Sequence, residues 1–197
     1  MDPSADHCAR AATGAPACLP PSPWVLRFAA LIPSGTRVLD LACGAGRHSR
    51  ALAALGHSVL ALDRDAQALA MLDGVPAVQT MQADLENAAW PLAGQRFGAV
   101  VVVNYLWRPL LPRLVRAVAD GGVLLYETFA FGQQTLGRPR NPEFLLRPGE
   151  LLDAVRGQLR VVAYEDGLLG CPQPAFVQRI CAVREPPGGV DAAKYNL

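Results

Sequence analysis

Val38-Leu-Asp-Leu-Ala-Cys-Gly-Ala-Gly-Arg-His-Ser49 decides the fold: an apolar strand carrying an acid runs into Gly-x-Gly and then into residues with helical apolar spacing. A strand, glycine loop and helix in that order bring backbone amides and a helix N-terminus to the carboxyl edge of a parallel sheet, where nucleotide-like ligands bind. In a dinucleotide site those amides meet a pyrophosphate. Asp40, four residues ahead of Gly44, would repel one and favour a cation instead.

On either side of this stretch the pattern alternates strand and helix. Arg37–Leu41, His57–Leu62, Val75–Gln82, the β-branched run Phe97–Val103 and Val123–Glu127 read as strands, and Arg47–Leu55, Ala66–Leu72 and Pro109–Ala119 as helices. Asp120-Gly121-Gly122 reads as the turn into the fifth strand. Glu150–Val155 is a further helix, and Arg160–Glu165 and Phe176–Val183 are closing strands. Ser22-Pro23-Trp24 opens a short helix, with Trp24, Leu26, Phe28 and Leu31 available for burial over the sheet or the edge of the ligand site. The predicted architecture is an α/β, Rossmann-like doubly wound sheet, mostly parallel, with helices on both faces.

In that architecture Asp40, Asp63 and Asp84 fall at or just past the ends of the first three strands and line one rim. S-adenosylmethionine has no phosphate and carries an ammonium and a sulfonium, so three acids at this rim select it over a dinucleotide. Asp63 is positioned for the ribose hydroxyls, and Asp84 with Leu85 for the adenine. Gly44 and Gly46 clear the backbone path beside the ligand, and Arg47 or the neighbouring helix N-terminus receives the methionine carboxylate.

Val38–Ser49, Val59–Asp63, Asp84-Leu85 and Phe97–Asn104 resemble the successive cofactor motifs of class I S-adenosylmethionine-dependent methyltransferases. The resemblance covers about residues 24 to 184. It implies seven strands with the last antiparallel, here Phe176–Val183, with S-adenosyl-L-homocysteine as product, and Asn104 and Tyr105 beside the transferable methyl. A looser similarity, to the small tellurite-resistance-type methyltransferases, rests on Cys43-Gly-Ala-Gly-Arg-His48, Asp84-Leu-Glu-Asn87 and Phe144-Leu-Leu-Arg-Pro-Gly-Glu-Leu151.

The acceptor is less legible. Trp107, Arg108 and Glu127 follow or end strands near the expected methyl position, although Trp107 reads equally as core. Tyr105 or Trp107 could face the sulfonium. Residues 128–149 form a long Gly-, Arg- and Pro-containing segment whose Arg138, Arg140 and Arg147 could clamp an anion or simply be solvated. No histidine is an obvious base: His7 lies in the lead-in, His57 starts a strand, and His48 reads better as a helix-start residue than as a catalyst. The absence favours a small acceptor that is already anionic or soft, such as a thiolate, a carboxylate or a chalcogen oxyanion.

With 197 residues, 51% hydrophobic, the chain suits one domain, 22–185, between a lead-in (1–21) and a loose tail (186–197). A net charge of +1 gives no global basic field for nucleic acid, which remains possible through a local patch of Arg108, Arg113, Arg116, Arg138, Arg140 and Arg147. The cysteines at 8, 18, 43, 171 and 181 are odd in number and lack Cys-x-x-Cys pairs, so reduced thiols and no metal site are expected, with Cys43 filling a small buried space. No signal-like start or membrane-length apolar segment is evident, and a cytoplasmic location is expected. The competing readings are an RNA or protein methyltransferase, an NAD(P)-dependent oxidoreductase, and a non-catalytic S-adenosylmethionine-binding module.

Overall fold

The computed structural model describes residues 19–170, 173–189 and 195; the lead-in residues 1–18 with His7, Cys8 and Cys18, Cys171, and most of the tail lie outside them. Seven strands form one sheet in the order β3-β2-β1-β4-β5-β7-β6. They are β1 (Arg37–Leu41), β2 (Ser58–Asp63), β3 (Val78–Gln82), β4 (Phe97–Val103), β5 (Val118–Phe129), β6 (Arg160–Leu169) and β7 (Ala175–Val183). The first five pair in parallel, and β7 runs antiparallel to both β5 and β6, as expected.

Helices α1 (Pro23–Phe28), α2 (Arg47–Ala54), α3 (Ala66–Ala70), α4 (Leu111–Ala117), α5 (Gln133–Leu136) and α6 (Glu150–Val155) connect and cover the strands. Every residue of β4 is buried, which explains its unbroken β-branched run: a central parallel strand has no solvent face. The sheet separates two cores. One joins Leu39, Leu41, Val100 and Val102 to Leu110, Leu114, Leu151 and Val155; the other joins Val38, Val101 and Leu125 to Trp24, Val25 and Phe28. Each large α1 side chain buried there stabilises the fold by about 1.5–3 kcal/mol.

Strand β6 runs on to Leu169 past the expected Glu165, α3 ends at Ala70 before the expected Leu72, and three further differences have a visible cause. Strand β3 starts at Val78, not Val75, because Pro76 is followed by Ala77 at a left-handed φ of 61°. Strand β5 starts at Val118, with Asp120-Gly121-Gly122 forming an irregularity inside it: Phe97 pairs with Val118 but Ala99 with Val123. A Cβ at Gly122 would lie 2.9 Å from the carbonyl oxygens of Ala119 and Gly98, so the chain passes β4 too closely there for any side chain. The expected helix from Pro109 is a 3-10 turn, Arg108–Leu110, leading into a shorter α4. Leu26, expected in the core, is 44% exposed.

Candidate active site

The carboxyl ends of β1, β2, β4 and β5 and the residues just past β3 border three cavities that share walls. The first, about 300 Å³, is lined by Leu19, Asp40, Ala42, Cys43, Gly44, Ala45, Arg47, His48, Val103 and Asn104. A second of about 440 Å³ runs from Ala42 along Asp63, Arg64, Asp84 and Leu85 to Glu86, Tyr105 and Phe144. The third, about 450 Å³, is bounded by Glu86, Asn104, Tyr105, Leu106, Thr128, Phe129, Arg138, Pro139 and Phe144. Asn104 joins the first to the third, and Glu86, Tyr105 and Phe144 join the second to the third.

The glycine loop is held by the acids. Gly44 has a φ of 53°, and a Cβ there would meet nothing within 4 Å, so its missing side chain leaves open space. Gly46 differs: a Cβ there would strike the Leu72 side chain, so the missing side chain also permits close packing against the end of α3. The Gly44 N–H donates to Asp63 Oδ2 at 2.7 Å, and Asp63 Oδ1 accepts from Asp65 N–H at 3.0 Å. Asp63 therefore ties the β2 end to the loop while facing the second cavity.

Asp40 is fully buried and accepts from Ser49 Oγ at 2.6 Å. Burial pushes its carboxyl up to about 6, against the Ser49 hydrogen bonds. Asp84 folds its own loop, accepting from Glu86 N–H at 2.9 Å, Asn87 N–H at 3.2 Å and Asn87 Nδ2 at 2.9 Å. The Asn87 side chain and then these amides hold its carboxyl below the ordinary value. Leu85 packs with the core around Leu60 and Leu62 and walls the second cavity. Cys43 is buried, its thiol pushed up by desolvation, as a space-filling residue would be.

Leu19 lines the first cavity, and the residues after it are bonded to the cavity's wall. Arg47 Nη1 donates to the Pro20 carbonyl at 3.2 Å, and Ser22 N–H donates to His48 Nε2 at 3.0 Å. Ser22 Oγ accepts from Trp24 N–H and donates to Glu127 Oε1, both at 3.1 Å. Glu127 in turn faces Arg179 at 3.5 Å, and the Arg179 guanidinium lies 4.7 Å above the Trp24 ring. Glu127, expected at the acceptor, is thus spent on docking α1, because Ser22 and Arg179 take its carboxylate and leave its side chain 13% exposed.

His48 gains its partner only when neutral. Burial, with Arg47 nearby, lowers its pKa from 6.5 to about 4. Between those values the unfolded chain binds a proton that the folded one refuses, so acid costs stability by up to about 1.4 kcal/mol per pH unit. Asp40 acts oppositely between 3.8 and about 6, where the folded chain holds the extra proton. Urea unfolding between pH 6 and 4 should therefore find Asp40→Asn more acid-sensitive than the wild type and His48→Gln less so. Parallel pH profiles for all three would refute this assignment.

Arg108 was expected at the acceptor and is instead a loop clamp. Its Nε and Nη2 fork onto Glu150 at 2.7 and 3.0 Å, while Nη1 and Nη2 reach the Glu143 and Leu145 carbonyls at 2.7 and 2.8 Å. Trp107 packs against the larger core and is absent from the cavity walls, the core alternative of its two readings. Of the three loop arginines, Arg138 lines the third cavity and Arg140 and Arg147 do not. Arg138 is held by Gln133, whose Nε2 donates to its carbonyl at 3.1 Å and whose Oε1 accepts from Phe176 N–H at 2.9 Å. Asn104, at a left-handed φ of 58°, donates its N–H to the Glu127 carbonyl at 2.9 Å and stands between the first and third cavities. Tyr105 lies beside it, its carbonyl accepting from Tyr126 Oη at 2.8 Å.

Phe129 and Phe144, which the sequence offers together with 131, 145 and 146 as either pocket wall or core, do line the third cavity, whereas Glu86 and Thr128 as cavity residues and Arg179 and Gln133 as supports are not anticipated. Glu86 stood inside a quoted motif, two residues past Asp84, and that spacing was its only local signal. Among the described residues no cluster of His, Cys, Asp or Glu is arranged to hold a metal, and no helix is long and apolar enough to cross a membrane.

This sheet order, the glycine loop and the acid-lined rim define the fold of class I S-adenosylmethionine-dependent methyltransferases, and residues 38–122 match the family model described as a methyltransferase domain. The chain is 34% identical over 149 residues to malonyl-[acyl-carrier protein] O-methyltransferase of Pectobacterium atrosepticum, an alignment covering 65% of this chain and 56% of that protein. Its fold is similar to TehB from Haemophilus influenzae, with a TM-score of 0.65, 21% identity and coverage of 82% of this chain and 61% of that one. The glycopeptide N-methyltransferase MtfA, solved with S-adenosyl-L-homocysteine, gives a TM-score of 0.56 at 22% identity, covering 81% and 88% of the two chains. The chain thus spans a little over half the length of the curated relative it matches.

Proposed function

We propose that this protein transfers a methyl group from S-adenosylmethionine to a small acceptor carrying an anionic or soft group. The observation that carries this is the single run of cavities along the sheet edge, acid-lined at the donor end and holding Arg138 at the other. The residues present fit the donor: Asp63 faces the second cavity for the ribose hydroxyls, Leu85 offers an apolar wall to the adenine, and Arg47 lies on the first cavity for the methionine carboxylate. Asp40 beneath the loop favours a cationic ligand and opposes a pyrophosphate.

The donor supplies an activated methyl on a sulfonium, so the protein's part is alignment and water exclusion. Asn104 and Tyr105 sit where donor and acceptor cavities meet, and residues 19–22 shield the donor side. Arg138 gives the acceptor's anion a forked donor. The O-methyltransferase relative, named for a malonyl group, supports an acidic acceptor to the same extent.

A nucleic-acid acceptor receives less support, because the six arginines do not form one face. Arg113 and Arg116 border a groove with Arg96, just before β4, whereas Arg138 borders the cavity just past the strand's far end, and Arg108 is paired. The seven residues of β4 separate the two ends by roughly 20 Å. The test is incubation of the protein with labelled S-adenosylmethionine and a cell extract fractionated into metabolites, RNA and protein. Label in a small acidic metabolite is expected; label confined to RNA or protein would overturn the reading, and donor binding without label would favour the non-catalytic module.

A further inference from the structure

Glu86 and Tyr105 are the polar groups at the junction of the second and third cavities, with Phe144 as the apolar wall beside them. The Tyr105 hydroxyl is buried and has no hydrogen-bond partner. A buried hydroxyl without a well-formed hydrogen bond is costly, and at a cavity wall, with a carboxylate beside it, it is suited to engage a ligand's polar atom. Among the described residues the Glu86 carboxylate takes part in no ion pair, in contrast to Glu127, Glu143, Glu150, Glu165 and Glu185. It lies close enough to the Tyr105 hydroxyl that, after desolvation, both its charge and its approach as a hydrogen-bond acceptor push the phenol's pKa up.

The sheet order sets Glu86 against Arg138. Glu86 enters from the β3 side and Arg138 from the loop after β5, with Asn104–Leu106 at the end of β4 between them. The cavity therefore offers a cation to one end of a ligand and a carboxylate with a phenol to the other, across walls made by Leu106, Phe129, Pro139 and Phe144.

We infer that the acceptor is a small organic acid whose methylated atom carries a proton, a hydroxyl or an amine, and that Glu86 accepts that proton while Tyr105 orients the same atom. This rests on the methyltransferase reading and departs from the expected ionised nucleophile, because Glu86 supplies the base that no histidine does. The acceptor oxygen or nitrogen bonds to the methyl carbon as the methyl–sulfur bond breaks, and that electron pair remains on sulfur. The proton passes from the acceptor atom to the Glu86 carboxylate and then to water; no oxidant or reductant enters. Arg138 binds the acid group, which fixes which end of the molecule faces Glu86.

The charged and titratable groups around Glu86 are Asp63 and Arg64 at the β2 end, Asp84 in its own loop, Tyr105 past β4 and Arg138 past β5. General-base removal costs about 100-fold or more in kcat. The test assays wild type, Glu86→Gln and Glu86→Asp with S-adenosylmethionine and three probes: hydroxybenzoate, aminobenzoate and selenite. Transfer to one or both acids is expected, with Glu86→Gln lowering kcat roughly 100-fold at neutral pH, Glu86→Asp less, and saturable donor binding by calorimetry still present. For hydroxybenzoate the loss should shrink at alkaline pH, where the phenol ionises unaided. Transfer to neither acid, or wild-type kcat in Glu86→Gln, overturns the assignment. The two readings fail separately: a wild type that does not bind the donor sinks the methyltransferase reading, whereas donor binding with selenite methylated and both acids untouched sinks only the role of Glu86.

Discussion

Asp63→Ala lowers affinity for S-adenosylmethionine by roughly 10- to 100-fold, the loss expected when hydrogen bonds to one ionised acceptor disappear. Two effects add. The ribose loses its carboxylate, and the Gly44 N–H loses the 2.7 Å bond that fixes the loop under the donor. Asp63→Asn falls between, because an amide oxygen still accepts from Gly44 but without charge. Calorimetric titration of the three proteins measures this directly. Wild-type affinity in Asp63→Ala would mean that the second cavity does not hold the donor's ribose.

Arg108→Ala destabilises the fold by about 3 kcal/mol, a melting-temperature drop of roughly 6–12 °C for a chain of this length. One guanidinium holds Glu150 and the carbonyls of Glu143 and Leu145, and the pair is 23% and 16% exposed, so removing it strands a largely buried carboxylate. Burial pushes the Glu150 carboxyl the other way, yet the Arg108 fork holds it below the ordinary value. Arg108→Lys does not restore stability, since an ammonium cannot reproduce the fork. The clamp also sets Phe144 between its two carbonyl anchors, so the variant weakens acceptor binding while donor affinity changes little. Scanning calorimetry with donor titration separates the effects; an unchanged melting temperature would show that loop 143–150 stands without Arg108.

The donor side of the molecule was legible in the sequence because its chemistry is local. Val38–Ser49 carries strand, acid, glycine loop and helix start within twelve residues, and Asp63 and Asp84 follow at the next two strand ends. The apolar run of β4 announced a central strand for the same reason. What stayed hidden depends on distant pairings. Arg108 looked like a substrate residue because its partner Glu150 is 42 positions away, and Glu127 because Ser22 is 105 away. Among Arg138, Arg140 and Arg147, composition does not say which one borders the cavity, because the path of the segment depends on pairings such as Gln133 with the Arg138 carbonyl and the Phe176 N–H. Gly46 illustrates a subtler limit, since a glycine excluded by Leu72 and one cleared for a ligand look alike in sequence.

An acid-lined rim of this kind favours a cationic methyl donor over a phosphorylated dinucleotide. Isothermal titration of the wild-type protein with S-adenosylmethionine, S-adenosyl-L-homocysteine and NAD tests it most directly. Saturable one-to-one binding of the first two and none of the third is predicted; saturable NAD binding with no heat from S-adenosylmethionine would contradict it.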